Sequence, residues 1–597
     1  MLKEFEKIKD KLIVFFNQKN FLGAEKFIRS FSPNYENNHI LLVYLGLSVT
    51  YQQRFDEAED IFKKAIKINK NYADAYFNLA KICEIKKNYA DASLNYRKTI
   101  KIDPEYLNAY LNLAQLLVLE KQINKAISIL KDGIKNIHSS SELYNNLGQI
   151  YFSRHDYDEA EKNYVIAIKY QPDNVKILNN LISNFLKKKL YFDAKLLIDK
   201  ALLLDSNNEI TRYHLGFFFQ KTSQYFEAIK VYEKLLSENS TFPLVYGCLG
   251  LCYYEVRKFD DAISFFKQSE KIYKQTNDLV SLYDSYLNLG YSGLIDYKFK
   301  SHSKFYEYRW IVGKGIKKKY DYPNWDGSYC QNLVVWGEQG VGDHIFYGAL
   351  VDKLIKLAKN IILEVDKRLI KLFQDYFSYK KIYNIKVLDI NNNFEVHHEK
   401  KKFIPIASLP SLLLSDNLDD WNISSPFLFS ENNKNQNFVS NSSNLKIGIS
   451  WKSFNLDEQH RSINFADFIN VFKDLNCSIY NLQFGNIDDE LNFLKEKKIS
   501  FSFDSSIDYK NDLNSVSALI KNLDLIVTAQ NTVAHLSCAL GKKTLVLLPL
   551  NGRWMYGRQP STCKWYPSAR LIRSKNINSW SDVLNKLRLI LKTEYCI

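Results

Sequence analysis

Alanine recurs every 34 residues along the first half of the chain, at Ala58, Ala92, Ala126, Ala160, Ala194, Ala228 and Ala262, with Ala24 in register one period earlier. A leucine stands thirteen residues before each of the later seven, from Leu45 to Leu249, and glycine or alanine follows that leucine at 46, 80, 114, 148, 216 and 250. Four residues after the alanine comes a bulky side chain, as in Phe62, Tyr96, Tyr164, Tyr232 and Phe266, and Pro104 and Pro172 close two units. A fixed period of this length means that one small unit is copied, and that each copy buries its apolar face only against its neighbours. Such a chain folds as an array. Of the 597 residues, roughly 300 remain after it, enough for two further domains of about 100 to 200 residues each.

These positions resemble the tetratricopeptide repeat, which implies two short antiparallel helices per unit, small residues where the helices touch and large ones between units. The resemblance implies an α-solenoid over residues 1–295, of about eight repeats, presenting a concave surface to another polypeptide. After Ala262 the register slips, since Asn288-Leu289-Gly290 comes six residues late. A degenerate last unit or a capping helix, followed by a linker, is therefore expected over 296–330.

Several classes are disfavoured by composition. Lysines, asparagines and aspartates interrupt every apolar run short of about 18 residues, so no integral membrane segment is expected. Met1 to Phe16 alternates charge with apolar residues and reads as a capping helix rather than a signal peptide. The eight cysteines are scattered, and Cys248 and Cys252 read as small core residues of a reduced, cytoplasmic protein. The net charge of +15 raises nucleic acid as a partner, but the lysines are spread along every repeat. Only Lys314 to Lys319 forms a cluster, and it reads as a solvated linker; no nucleic-acid partner is expected.

Beyond Gly327 the pattern changes. Apolar runs at Leu333–Trp336, Ile361–Val365 and Ile385–Ile390 alternate with helical stretches, the first reaching about Lys359. After a spacer dense in Asn and Ser, Ser430 to Asn444, the alternation restarts with strands at 446–451, 478–483, 524–528 and 544–548 and a closing helix at 579–591. Strand and helix in alternation indicate parallel α/β sheets, hence two Rossmann-like halves over 331–430 and 445–597. Ligands of such sheets bind beyond the carboxyl ends of the strands, which points to loops 337–344, 451–461 and 529–535.

Two of these loops carry candidate chemistry. Trp336-Gly-Glu-Gln-Gly340-Val-Gly342-Asp343 sets glycines between strand and helix, so that backbone can approach a ligand closely, while Asp343 is either a helix cap or a general base. The turn Gln530-Asn531-Thr532 with His535 lies at a helix N-terminus, where unpaired N–H groups and the helix dipole favour phosphate. His535 could equally hydrogen-bond backbone. His397-His398 and Asp488-Asp489 read as solvated loop and first-turn charges, so no metal site and no cofactor are expected.

The two halves together resemble GT-B glycosyltransferases of the heptosyltransferase-like family, in the form bacteria fuse to tetratricopeptide repeats. The resemblance covers about 331–597 and rests on ordered blocks: Gly337-Glu-Gln-Gly-Val-Gly-Asp343, Gly448-Ile-Ser-Trp-Lys452 with Arg461-Ser-Ile, Thr532-Val-Ala-His-Leu, and Arg553-Trp with Trp565-Tyr-Pro. It implies an α/β GT-B module that transfers a sugar from a nucleotide-sugar to a hydroxyl with inversion, with Asp343 as the acceptor's base. Gly340, Gly342, Lys452, Arg461, Gln530, Asn531, Thr532 and His535 would then lie on the donor side. Gln530-Asn531 departs from the Asp-Thr of many relatives, which bears on donor identity and on activity itself.

Asn78, Asn112, Asn146 and Asn180 each precede a repeat leucine by one residue, a row whose amides could hold an extended polypeptide backbone. In this the chain is similar to the asparagine ladder of eukaryotic O-linked N-acetylglucosamine transferases. The plain alternative is asparagine tolerated on a solvated face, and His214 and Cys248 break the row. The expected protein is a glycosyltransferase with a polypeptide acceptor; a glycan acceptor and a repeat scaffold with a decayed transferase domain are the alternatives.

Overall fold

The computed structural model describes residues 2–595 except 32–33, 239–242, 314–321, 392–400, 422, 424, 431–443, 454–460 and 578. The Lys314–Lys319 cluster, His397-His398 and nearly all of the 430–444 spacer lie outside the described residues. The chain divides into two compact units, Met1–Phe218 and Phe219–Ile597.

The first unit is built of helix pairs. Leu2–Asn17 with Phe21–Arg29 is followed by His39–Tyr51 with Phe55–Ile68 and Ala73–Ile85 with Tyr89–Ile102. Leu107–Leu119 with Ile123–Asn136, Ser141–Ser153 with Tyr157–Tyr170 and Val175–Lys187 with Tyr191–Leu204 continue the series. The spaced alanines inside this unit are fully buried. The glycines show why the pattern pairs small with large: a Cβ on Gly46 would stand 2.5 Å from the Phe62 ring, and one on Gly148 2.7 Å from Tyr164. Elsewhere the same two positions hold Ala114 with Leu130 or Ile182 with Ile198, all buried, which divides the volume differently.

The turn inside each pair also repeats. Lys19, Gln53, Lys87, Lys121, His155 and Lys189 take positive φ between 53° and 64°. The next N–H bonds back across the helix end, as from Asn88 to Cys83 O (2.8 Å) and from Asp156 to Tyr151 O (3.0 Å), the Schellman closure that glycine normally serves. None of these residues is glycine, at a cost of about 1 kcal/mol each, so packing of the pairs must impose the turn.

In the second unit the same turn falls at Ser223 and Arg257, then at Tyr297, forty residues on instead of 34. The slip is spread over two helices: Phe259–Thr276 has 18 residues against 14 in Tyr157–Tyr170, and Leu279–Leu294 has 16 against 13 in Val175–Lys187. A last pair, Leu279–Leu294 with Phe299–Tyr306, follows. Nine helix pairs are thus seen among the described residues rather than about eight, and the last crosses the expected boundary at 295.

Two parallel sheets make up the rest of the unit. The first has the order β3-β2-β1-β4, with β1 at Cys330–Trp336, β2 at Ala358–Val365, β3 at Ile385–Asp389 and β4 at Lys401–Pro405. The second has the order β6-β5-β7-β8-β9, with β5 at Leu445–Ser450, β6 at Cys477–Asn481, β7 at Leu525–Ala529, β8 at Thr544–Leu548 and β9 at Ala569–Arg573. β4 and β9 were not expected. The helix after β1 is shorter than expected, ending at Gly348 and giving way to a 3-10 turn at Val351–Leu354.

One hydrophobic core runs through Phe259, Leu287, Tyr297 and Tyr306 of the last repeats and on into residues of both sheets. Arg309, just after the last pair, reaches Glu338 at the end of β1 through Nε–Oε2 (3.0 Å) and Nη2–Oε1 (2.8 Å), both side chains at most 1% exposed. Burial works against both charges, yet the two-pronged contact holds Arg309 above its ordinary pKa. The last repeats are therefore part of the α/β body.

Candidate functional site

In each sheet the first strand is flanked on both sides, and the order reverses there: β1 lies between β2 and β4, β5 between β6 and β7. The loops leaving such a position open a crevice at the carboxyl edge. Ser450, Trp451 and Lys452, leaving β5, are pinned by Gln483 from the end of β6, whose Oε1 accepts from Ser450 Oγ (2.9 Å) and from the N–H groups of Trp451 (2.9 Å) and Lys452 (2.8 Å). Asn531, leaving β7, completes the clamp by donating to Ser450 Oγ (2.7 Å) and to Lys452 O (3.2 Å).

That clamp revises two expected donor residues. Asn531 caps helix Thr532–Ala539, accepting from Val533 N–H (3.0 Å) and Ala534 N–H (3.4 Å), so both ends of its amide are spent on the fold. Lys452 turns its ammonium to Glu490, in the first turn of helix Asp488–Lys497, rather than standing open for a phosphate. Gln530 is buried, with Oε1 accepting from Arg553 N–H (3.2 Å) and Nε2 meeting no acceptor among the described residues. Arg461 is 8% exposed, and its charge acts on Tyr254 and Tyr556. Thr532 lines a cavity of about 260 Å³ together with Val341, Arg368, Phe484, Lys510 and Val533.

The glycine loop after β1 packs against the protein itself. Gly340 is the cap position of helix Val341–Gly348, and its N–H donates to Asp343 Oδ2 (3.0 Å), so Asp343 does cap the helix. The close approaches are between parts of the protein: a Cβ on Gly337 would lie 2.5 Å from His344 Nε2, and one on Gly342 3.1 Å from the His535 ring. The first turns of the two helices, one from each sheet, thus face each other directly. Behind them Trp565 stacks on Phe346 with centroids 4.1 Å apart and donates to Phe346 O (2.8 Å), while Tyr566 Oη lies 2.9 Å from His535 Nδ1. This explains the Trp565-Tyr566-Pro567 block as a strap joining both helices.

Both histidines are held neutral. Burial pushes His535 down to about 3, with the Arg553 charge adding to it, and pushes His344 down to about 4. His344 Nδ1 accepts from Asp366 N–H (3.1 Å), which fixes its proton on Nε2. Among the described residues no group of three or more His, Cys, Asp or Glu side chains is placed to hold a metal. No described helix is long and apolar enough to cross a membrane.

The asparagine row occupies equivalent places on four successive first helices, Ala73–Ile85, Leu107–Leu119, Ser141–Ser153 and Val175–Lys187. All four side chains are half-buried. Each donates one N–H within the array: Asn78 to Asp74 O (2.8 Å) and Asn146 to Glu142 O (2.9 Å) one turn back on their own helices, Asn112 to Tyr96 Oη (3.3 Å) and Asn180 to Asn145 Oδ1 (2.7 Å). His214, one period after Asn180, joins a buried network instead, meeting Asn179 Oδ1 (3.2 Å) and Ser183 Oγ (2.9 Å). Sequence reading missed Gln483, Glu338 and Arg309, because their roles depend on partners distant in the chain.

Tetratricopeptide-repeat family models match residues 61–92, 85–150 and 141–174. Tetratricopeptide repeats therefore occupy the N-terminal region, and a region of parallel sheets follows them. Protein FlbA of Caulobacter vibrioides is 22% identical over 319 residues, 48% of this chain and 51% of that protein. The chain thus spans about half the length of the curated relative that it matches. Among solved structures, PilF of Pseudomonas aeruginosa is 17% identical, covering 33% of this chain and 90% of its own with a TM-score of 0.30. YrrB, a TPR protein with an unusual peptide-binding site, is 19% identical, covering 32% and 96% with a TM-score of 0.26. A tetratricopeptide repeat protein of Parabacteroides merdae is 16% identical, covering 42% and 99% with a TM-score of 0.32.

Proposed function

We propose that the α/β region is a glycosyltransferase module of GT-B type, moving a sugar from a nucleotide-sugar to a hydroxyl of a polypeptide held by the repeats. The observation that carries this reading is the apposition of the two helix first turns, Gly342-Asp343 from the first sheet against His535 from the second, at the reversal points of two parallel sheets. A nucleotide-sugar lying across such a crevice has its leaving group at one helix N-terminus and its acceptor at the other. Transfer then needs a base at the acceptor hydroxyl and positive charge at the departing diphosphate. Asp343 supplies the first. Arg461 and the positive end of the Thr532 helix dipole supply the second, Lys452 only after leaving Glu490. The protein would need no resident metal or cofactor for this step.

The test is calorimetry with UDP-, GDP-, ADP- and CMP-sugars, followed by a transfer assay with the sugar that binds. Asp343→Asn keeps an oxygen to cap the helix, so the variant should fold and bind donor normally while turnover falls about a hundredfold. Turnover near wild type would leave Asp343 as a cap alone. Failure of the wild type to bind any nucleotide-sugar would leave the repeat-scaffold reading in its place.

A further inference from the structure

The carboxyl edge of the second sheet gathers cationic groups whose donors are not all used within the described residues. Arg573 closes β9, Gln530 follows β7, and Gly552 lies in the loop that leaves β8. Arg257 arrives from the repeats, in the positive-φ turn (64°) between helices Pro243–Glu255 and Phe259–Thr276. Two adjacent carbonyls hold the guanidinium groups: Arg573 Nη2 donates to Gly557 O (3.1 Å) and Arg257 Nη2 to Arg558 O (2.6 Å).

Their other nitrogens are left over. Nε and Nη1 of Arg573, Nη1 of Arg257 and Nε2 of Gln530 are buried and meet no hydrogen-bond acceptor among the described residues. Nearby acids are engaged elsewhere, Asp296 with Arg558 (2.8 Å) and Glu255 with Asn551. Gly552 lets backbone come close to both, since a Cβ there would come within 3.0 Å of Arg573 Nη1 and 3.3 Å of Gln530 Oε1. Burial, then the charge of Arg257, pushes Arg573 down to about 9, so it remains cationic at neutral pH. Two buried cations side by side, with donors to spare, are costly unless an anion joins them.

We infer that Arg573, Arg257 and Gln530 form a binding site for a phosphate-type oxyanion, and that the repeats complete this site through Arg257. Three donors on two cations suit a group carrying two or more negative charges, such as a pyrophosphate or the diphosphate of a nucleotide. The site stands on the sheet edge and its orphaned donors, independently of the transferase reading. If that reading fails and phosphate still binds, this inference remains.

Thermal shift and calorimetry on the full chain, with inorganic phosphate, pyrophosphate, UDP and GDP as probes, test it. At least one probe should raise the Tm of the wild type. Arg257→Gln, Arg573→Gln and Gly552→Ala, the last setting a methyl against Arg573 Nη1 without removing charge, should each weaken that probe at least tenfold. The ligand-free Tm of the two arginine variants should not fall, because each removes a buried charge with donors left unpaired among the described residues. Pyrophosphate binding as tightly as the nucleotides would mark a site for the phosphate group alone, and much tighter nucleotide binding would mark a nucleotide site. No binding of any probe to the wild type, unchanged affinity in all three variants, or a lowered ligand-free Tm in both arginine variants would overturn it.

Discussion

His214, His344 and His535 are each buried, and burial pushes them down to about 4, 4 and 3. An unfolded histidine titrates near 6.5, so below that pH the unfolded chain binds protons that the folded one refuses. Their contribution is therefore complete above about pH 6.5 and is lost as pH falls toward 4, by up to about 1.4 kcal/mol per pH unit for each histidine. Urea midpoints measured from pH 7.5 to 5 should fall accordingly. His344→Asn retains an acceptor for the Asp366 N–H, so it should flatten that slope in the second unit; an unchanged slope would mean that His344 protonates in the fold.

Among the elements, the repeat pairs depend on how volume is shared across one contact. Gly148→Ala would gain about 1 kcal/mol of helix propensity, but its methyl would press on the Tyr164 ring at 2.7 Å, an overpacking that costs about 1 to 3 kcal/mol. The single variant should thus be neutral to destabilised by about 2 kcal/mol. Adding Tyr164→Leu, the combination that Ala114 and Leu130 already use, should recover the loss. A denaturation double-mutant cycle reads the coupling, and strict additivity would show that the two positions do not share space. The asparagine row belongs to the same scale. Replacing Asn78, Asn112, Asn146 and Asn180 with Ala removes amides that make only one donation each within the array. It should raise KM for a polypeptide acceptor, each shared backbone hydrogen bond being worth about 0.5 to 1.5 kcal/mol, while leaving donor hydrolysis intact. Wild-type kinetics in the quadruple variant would reject the ladder.

For the molecule as a whole, the second unit depends on contacts that join its last helix pairs to its sheets. The Arg309–Glu338 pair is the most deeply buried of these. Glu338→Gln leaves the buried guanidinium only the half-exposed Glu307 as a carboxylate partner and should cost about 3 to 5 kcal/mol, whereas Arg309→Met with Glu338→Leu should be close to neutral. Urea unfolding followed in the second unit separates the two. Equal losses in both variants would mean that the site tolerates no repacking. The Tyr297 hydroxyl, donating to Met555 O (2.9 Å), adds a second tie between the last repeats and the second sheet.

The repeat positions were legible because periodicity is a local signal. Ala58 and its counterparts must be small wherever two helices cross, and a period of 34 residues survives without knowledge of any partner. β7 and β8 were legible too, since a strand buried on both faces reads as a near-continuous apolar run. β4, which begins with two lysines, and β9, with an arginine at position 570 and another at its end, lack that run and were missed. The site divides in the same way. Sequence brought out the Gly340 and Thr532 turns, because glycine and capping chemistry act within a few residues. Tertiary structure decided that Asn531 also donates to Ser450 and Lys452, that Lys452 meets Glu490, that Gly342 makes room for His535, and that Arg257 of a repeat stands beside Arg573 of a strand. Those pairings join residues up to about 300 apart, and no local pattern in the chain encodes which buried charge will find which partner.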